Sequence, residues 1–481
     1  MLRYGVLLLL AASLALSAER VFTQTDVLGK DWGRDLLHYA VTFAPGEARA
    51  ADLVLLDANA RPLPFQLSEV TTHPDGALKA ARVSFYGELK PYGAMRYTLS
   101  TGAPKPRTFD QGIKTAQPEK GPLELRNKFT AVRLPAGAAF AAPKPFADVP
   151  GPLQGYALST GRWTGGSRFT VEGDTAPRVA GIDTTLLAAG PLVAEARVRY
   201  ALTNGGYYAV RVRLEAEAPM VFIAEEADVK LIDTPMIRAQ YYLSDPFDAG
   251  SARGWYPDSV FRFSERSPNA TEPEALNALT AAGIELPKSQ PQKAFIYRLP
   301  DWDKPDAPQG PRDLFGVAAW YVWSDSAWYA AFYQEAALPT KERPFIGLIP
   351  LHAGQWRNGQ GSHLSCRVQQ SGGSVYFTVP LTAPRHPGTY LDTGEFDTAL
   401  PVTLVRRQWG LLLGPLPTSL QAFWDARLAY GHVTLNDYKD WVLDWPEDRT
   451  VTYPRLPFTA KELAAAKRTL ATHAFKDVLS T

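Results

Sequence analysis

Cysteine is almost absent from this 481-residue chain; Cys366 is its only one. That excludes an internal disulfide and any paired-cysteine zinc site. An excess of charge is also missing. The net charge of +1 leaves no electrostatic footprint for nucleic acid or anionic lipid. His-Glu-x-x-His, the P-loop and the G-x-S-x-G nucleophile elbow are absent. Gly161, Gly165 and Gly166 in "GRWTGGS" lack dinucleotide spacing and read as turn residues. The sequence names no metal and no cofactor. Beyond the first twenty residues no apolar run reaches the roughly 20 residues of a membrane span.

The composition is 46% hydrophobic and 11% aromatic, enough to build packed cores. Forty prolines punctuate short segments, which favours strands and loops over long helices. The start, "MLRYGVLLLLAASLALSAER", carries Arg3, an apolar run from Val6 to Ala12 and a small-residue exit. This is the layout of a secretory signal over residues 1–18. A secreted or periplasmic bacterial protein is expected, and the sequon at Asn269 is then accidental.

The expected fold is mainly β. Residues 19–102 read as a small β domain, with turns at Asp57-Ala58-Asn59 and Pro74-Asp75-Gly76. Residues 103–122 read as a linker and 123–416 as one large antiparallel β-sandwich. There "YYAVRVRLEAEAPMVFIAEEADV" alternates Val210, Val212 and Leu214, then Val221 and Ile223. Residues 417–481 read as helical. "SLQAFWDARLAYG" has an apolar face, and "NDYKDWVLDW" follows a cap at Asn436 and places Tyr438, Trp441, Val442 and Trp445 together. "LPFTAKELAAAKRTL" has a capping box at Thr459 and Glu462. Its face of Leu463, Ala466 and Leu470 is expected to lie loosely on the sandwich.

Asp57, Arg61-Pro62-Leu63-Pro64 and Pro74-Asp75-Gly76-Ala77-Leu78-Lys79 form a pattern that resembles the N-terminal RIFT-barrel domain of exo-rhamnogalacturonan lyase-like proteins. "LELRNKFTAVRLPAG" resembles the first strand of that family's central β-sandwich, with Arg126-Asn127 where Glu-Asn is usual. The resemblance implies a RIFT-like barrel, then a sandwich, then an α/α toroid of which this chain carries only the start. It implies β-elimination of an acidic glycan if the chain is catalytically complete.

A lyase acting on a uronate must neutralise the carboxylate, take the adjacent proton and protonate the leaving oxygen. "RPFIGLIPLHAGQWRNGQGSHLSCR" offers these residue types: His352, Arg357 and His363 for chemistry, Trp356 and Asn358 for the sugar. "RHPGTYLDTGEFD" adds Tyr390 as a further catalytic candidate, with Arg385 and His386 beside it for binding. "ARGWYPDS" offers Arg253, Trp255 and Tyr256 for stacking and charge. Cys366 lies three residues after His363, on the opposite face of an extended chain, and reads as structural. A glycoside hydrolase is the alternative enzyme and would need two carboxylates about 5–10 Å apart. Glu225, Glu226 and Asp228 are available but read as solvated or ion-paired residues following a strand. A non-catalytic carbohydrate-binding protein is the third reading. The partner in all three is a polysaccharide or oligosaccharide.

Overall fold

The computed structural model describes residues 18–101, 112–118, 121–157, 161–172, 176–230, 236–242, 252–257, 294–298, 312–313, 330–334, 344–351, 367–371, 374–381, 404–415 and 433–441. The fold is mainly antiparallel β, as the sequence predicts. The chain divides into two compact units, Met1–Tyr438 and Lys439–Thr481. The signal-like segment before Ala18 and the helical stretch after Trp441 lie outside the described residues. In the second unit Lys439 pairs with Asp440 at 2.6 Å. Trp441 is exposed.

The first strands form two sheets. One orders Glu19–Thr25, Ala94–Thr101, Leu53–Leu56 and Pro62–Leu63. The other orders Arg34–Thr42, Leu78–Glu88 and Gln66–Thr72. No closed barrel forms among the described residues. Pro62 explains one open edge, because a proline cannot donate to a further strand. Between the sheets Phe22, Leu37, Leu55, Val83, Phe85 and Leu99 form one core. Burying each large side chain contributes about 1.5–3 kcal/mol. Both expected turns are present. Gly76 sits at φ +77°, and the Ala77 amide donates to the Asp75 carboxylate at 2.9 Å. Asp57 accepts from the amides of Asn59 and Arg61.

A ten-stranded sheet dominates the rest. Its order is Ala138–Lys144, Val179–Ala189, Val193–Leu202, Tyr207–Glu215, Met220–Asp228, Leu404–Pro415, Pro344–Leu351, Ala330–Gln334, Ala252–Pro257 and Ala294–Arg298. Two five-stranded sheets share its core. One contributes Leu125, Val132 and Tyr156, the other Phe169, Ile237 and Tyr241. Opposite them the large sheet presents Val198, Val210, Val212, Ile223, Trp409 and Leu411. Lys114–Ala116, inside the stretch read as a linker, pairs with Leu123–Arg126 as an edge strand. Its exposed Lys114 and Ala116 give no apolar alternation to read.

Near its end the first unit returns to the N-terminal sheets. Leu435–Tyr438 makes one helical turn, and Thr434 caps it rather than the expected Asn436. The Asp437 amide donates to Thr434 Oγ1 at 3.2 Å, and the Thr434 amide donates to the Asp437 carboxylate at 2.9 Å. This reciprocal pair satisfies two amides at the start of the turn. Asn436 instead accepts from the His38 amide, and its own amide donates to Asp35. Leu435 and Tyr438 are buried in the N-terminal core, with Tyr438 stacked on Trp32 at 4.3 Å. The Tyr438 hydroxyl donates to Thr25 O at 2.9 Å and accepts from the Val27 amide at 3.1 Å. Tyr438→Phe keeps the stack and strands both partners. It is expected to cost about 1–2 kcal/mol in urea unfolding. No change in the midpoint would contradict this docking.

Candidate functional site

Strict alternation in the ten-stranded sheet gives it two unlike faces. Val198, Val210, Val212 and Ile223 point into the core. The alternate positions carry Arg197 and Arg199 on one strand, Tyr207, Arg211 and Arg213 on the next, Glu226 on the third and Arg406 on the fourth. Register then aligns them. Asp183, Arg199, Ala209, Glu226 and Arg406 form one row across the sheet. Thr185, Arg197, Arg211, Ala224 and Gln408 form the next. Arg197 and Arg211 are therefore direct cross-strand neighbours, an arrangement of like charges that costs stability. Asp183 reaches Arg197 at 3.2 Å, and Glu195 reaches Arg211 at 3.5 Å. Both arginines stay substantially exposed, as does Arg406, which pairs with Glu226 at 2.8 Å. The Tyr207 hydroxyl donates to Glu226. That hydrogen bond, then Arg406, holds the Glu226 carboxyl below its ordinary range. The Arg199 guanidinium lies 4.9 Å from the centre of the Tyr207 ring. Among the described residues Arg199 pairs with no carboxylate. The face thus offers guanidinium groups around an aromatic ring, suited to binding carboxylates.

One end of this face meets the N-terminal sheets. Gln66 is buried there, and its carbonyl accepts from the amides of Leu192 and Val193 at 2.8 and 2.9 Å. Its own amide donates to Val193 O at 2.9 Å. Leu36 and Tyr86 pack with Ala188, Leu192, Val193 and Ala216. Arg34 grips Glu217 through two bonds of 2.7 and 2.9 Å, and the Glu217 amide donates to the Tyr86 hydroxyl. Arg82 binds Glu195 at 2.6 Å, so Glu195 joins the N-terminal sheets to Arg211 on the exposed face. Glu215 is fully inside this junction, 3.0 Å from Arg213. Burial pushes its carboxyl up to about 7.

No protein-family model matches the chain, and no curated protein matches it in sequence. Among solved structures, an α-mannosidase from Enterococcus faecalis V583 is 12% identical, with a TM-score of 0.43 over 85% of this chain. A protein in glycosyl hydrolase family 38 from Enterococcus faecalis is 11% identical, with a TM-score of 0.44 over 85% of this chain. The match spans 45% and 46% of those two chains, less than half of either.

His352, Trp356, Arg357, Asn358, His363, Cys366, Arg385, His386 and Tyr390 lie outside the described residues. Arg253, Trp255 and Tyr256 fall within the strand Ala252–Pro257. There Arg253 is in register with Arg298 and Tyr333, and Trp255 with Ile296 and Ala331. Glu225, Glu226 and Asp228 form the end of the strand Met220–Asp228, where the sequence suggests solvated or ion-paired residues following a strand. Glu226 pairs on the exposed face. Glu225 faces the core and is ion-paired with the fully buried Arg407 at 2.6 Å. Tyr208 and Tyr241 donate to its other oxygen at 2.6 and 3.2 Å. Sequence reading names Glu225 as a possible ion-pair member but misses its partner Arg407; the two sit in the alternation of Val221 and Ile223 and of Trp409 and Leu411. Continuing those patterns by two residues places both inside. The arginines carry a signal as well, the Arg-x-Arg of "EARVRYAL" and of "YYAVRVRLE".

Proposed function

We propose that this chain is an exported carbohydrate-active protein that binds an acidic polysaccharide along the arginine face of its ten-stranded sheet. The direct juxtaposition of Arg197 and Arg211, with Arg199 on Tyr207 and Arg406 beside them, supports this reading. Uronate carboxylates repeat along a polymer, and guanidinium forks bind them through paired hydrogen bonds. A ring such as Tyr207 supplies an apolar surface beside the charges. The finer reading is a polyuronide lyase performing β-elimination. Neutralising the uronate carboxylate is the part of that reaction an arginine face supplies. Tyr207 is suited to holding a proton rather than taking one, because Glu226 and burial raise its hydroxyl above the usual value. The base is then sought among His352, His363 and Tyr390.

Incubation of the full chain with polygalacturonate tests the chemistry. A lyase produces an unsaturated end and a rise in ultraviolet absorbance. New reducing ends with no absorbance rise would replace the lyase with a hydrolase. Binding without either product would reduce the function to recognition.

A further inference from the structure

Three carboxyls from three strands converge where the N-terminal sheets meet the ten-stranded sheet. Asp35 comes from Arg34–Thr42, Glu195 from Val193–Leu202 and Glu215 from Tyr207–Glu215. Glu195 and Glu215 are buried. The cations facing them are few. Arg213 lies at 3.0 Å from Glu215, and Arg82 and Arg211 share Glu195. Arg34 is committed to Glu217 by two hydrogen bonds. Asn127, also buried, donates to the backbone oxygens of Glu215 and Ala218 rather than to a carboxylate. Asp35 accepts from its neighbour Leu36 and from Asn436 of the returning helical turn, close to Asp437 and Thr434. His38, on the same strand as Asp35, directs its Nδ1 to Ser84 at 2.8 Å.

We propose that this junction is a proton-dependent joint, in which acidification tightens the hold of the N-terminal sheets on the large sheet and alkalinisation loosens it. The direction follows from Glu215. Its carboxyl titrates near 7 inside the junction, above its ordinary value of 4.5. Below about 4.5 it carries its proton whether the junction is closed or open, so closure is at full strength. As pH rises from there toward 7, the open form ionises first and closure weakens; above 7 the loss is complete. Asp35 is raised by burial too and works in the same direction. The interval between 4.5 and about 7 corresponds to roughly three-hundredfold in the closing equilibrium. Opening would also release Arg82 from Glu195, which the arginine face shares.

Hydrogen exchange on the full chain tests the joint, with rates corrected for intrinsic pH dependence. The amides of Leu192 and Val193 report it, since both donate to Gln66 across the junction. Their protection is expected to fall by about ten- to a hundredfold between about pH 5 and pH 8. The ladder of Glu19–Thr25 with Ala94–Thr101 should not follow. In Glu215→Gln most of the fall should disappear, leaving only the smaller part that Asp35 contributes. Asp35→Asn, as a second variant, should reduce the response partly. Equal wild-type protection at the two values would overturn the proposal, and so would an undiminished fall in Glu215→Gln.

Discussion

Arg407→Ala is expected to lower the stability of this protein by about 3–5 kcal/mol, a large share of the roughly 5–15 kcal/mol that holds a folded protein together. The reason is what remains behind. Glu225 and Arg407 have 1% and 0% of their side chains exposed, and they meet at 2.6 Å in the core of the large sheet. Without Arg407 the Glu225 carboxylate keeps only the hydroxyls of Tyr208 and Tyr241. Burial, with Glu225 beside them, holds both phenols well above their ordinary values, so they remain donors but cannot neutralise charge. Glu225→Gln is expected to cost a similar amount, since the amide oxygen still accepts from the tyrosines but Arg407 is left as a buried charge that cannot lose its proton. The double replacement Glu225→Leu with Arg407→Leu should recover most of the loss, because a buried pair and a well-packed apolar pair have similar net stability. Urea unfolding of the three variants checks the series. An Arg407→Ala protein as stable as the wild type would show that the pair is not sealed from water.

On the exposed face of the same sheet the consequences run the other way. Arg197→Ala with Arg211→Ala should leave stability unchanged or slightly higher, since it removes two like charges held directly opposite each other. Affinity for an acidic polysaccharide should fall about a hundredfold, at roughly tenfold for each guanidinium–carboxylate pair removed. Arg96→Ala, at an exposed position on the N-terminal sheets, should leave binding unaltered. Isothermal titration with oligogalacturonate compares both variants with the wild type. A fall of less than threefold in the double variant would remove the arginine face from the binding site.

These two sites show how far the sequence could be read. The strands Tyr207–Glu215 and Met220–Asp228 were legible because Val210, Val212, Leu214, Val221 and Ile223 alternate without interruption. The burial of Glu225 was not, since a glutamate at a strand end reads as solvated or ion-paired and nothing local shows which partner it takes. Glu225 meets Arg407 182 residues away, and only the pairing of Met220–Asp228 with Leu404–Pro415 brings them together. The arginine face has the same origin. Each Arg-x-Arg is visible locally, but register alone makes Arg197 and Arg211 neighbours. At the helical turn, Thr434 and Asn436 are both cap residues by type. The choice was decided by Asp437, three residues after Thr434, and by the N-terminal strand that engages Asn436.

The central claim is that carboxylates on a glycan are recognised by this exposed face. The direct measurement compares equilibrium binding of the full chain to polygalacturonate and to its fully methyl-esterified form across a salt series. The two polymers share a backbone and differ in charge. Binding to the free acid that weakens steadily with salt, with little binding to the ester, is the predicted result. Equal binding to both polymers, or affinity for the acid that ignores salt, would contradict it.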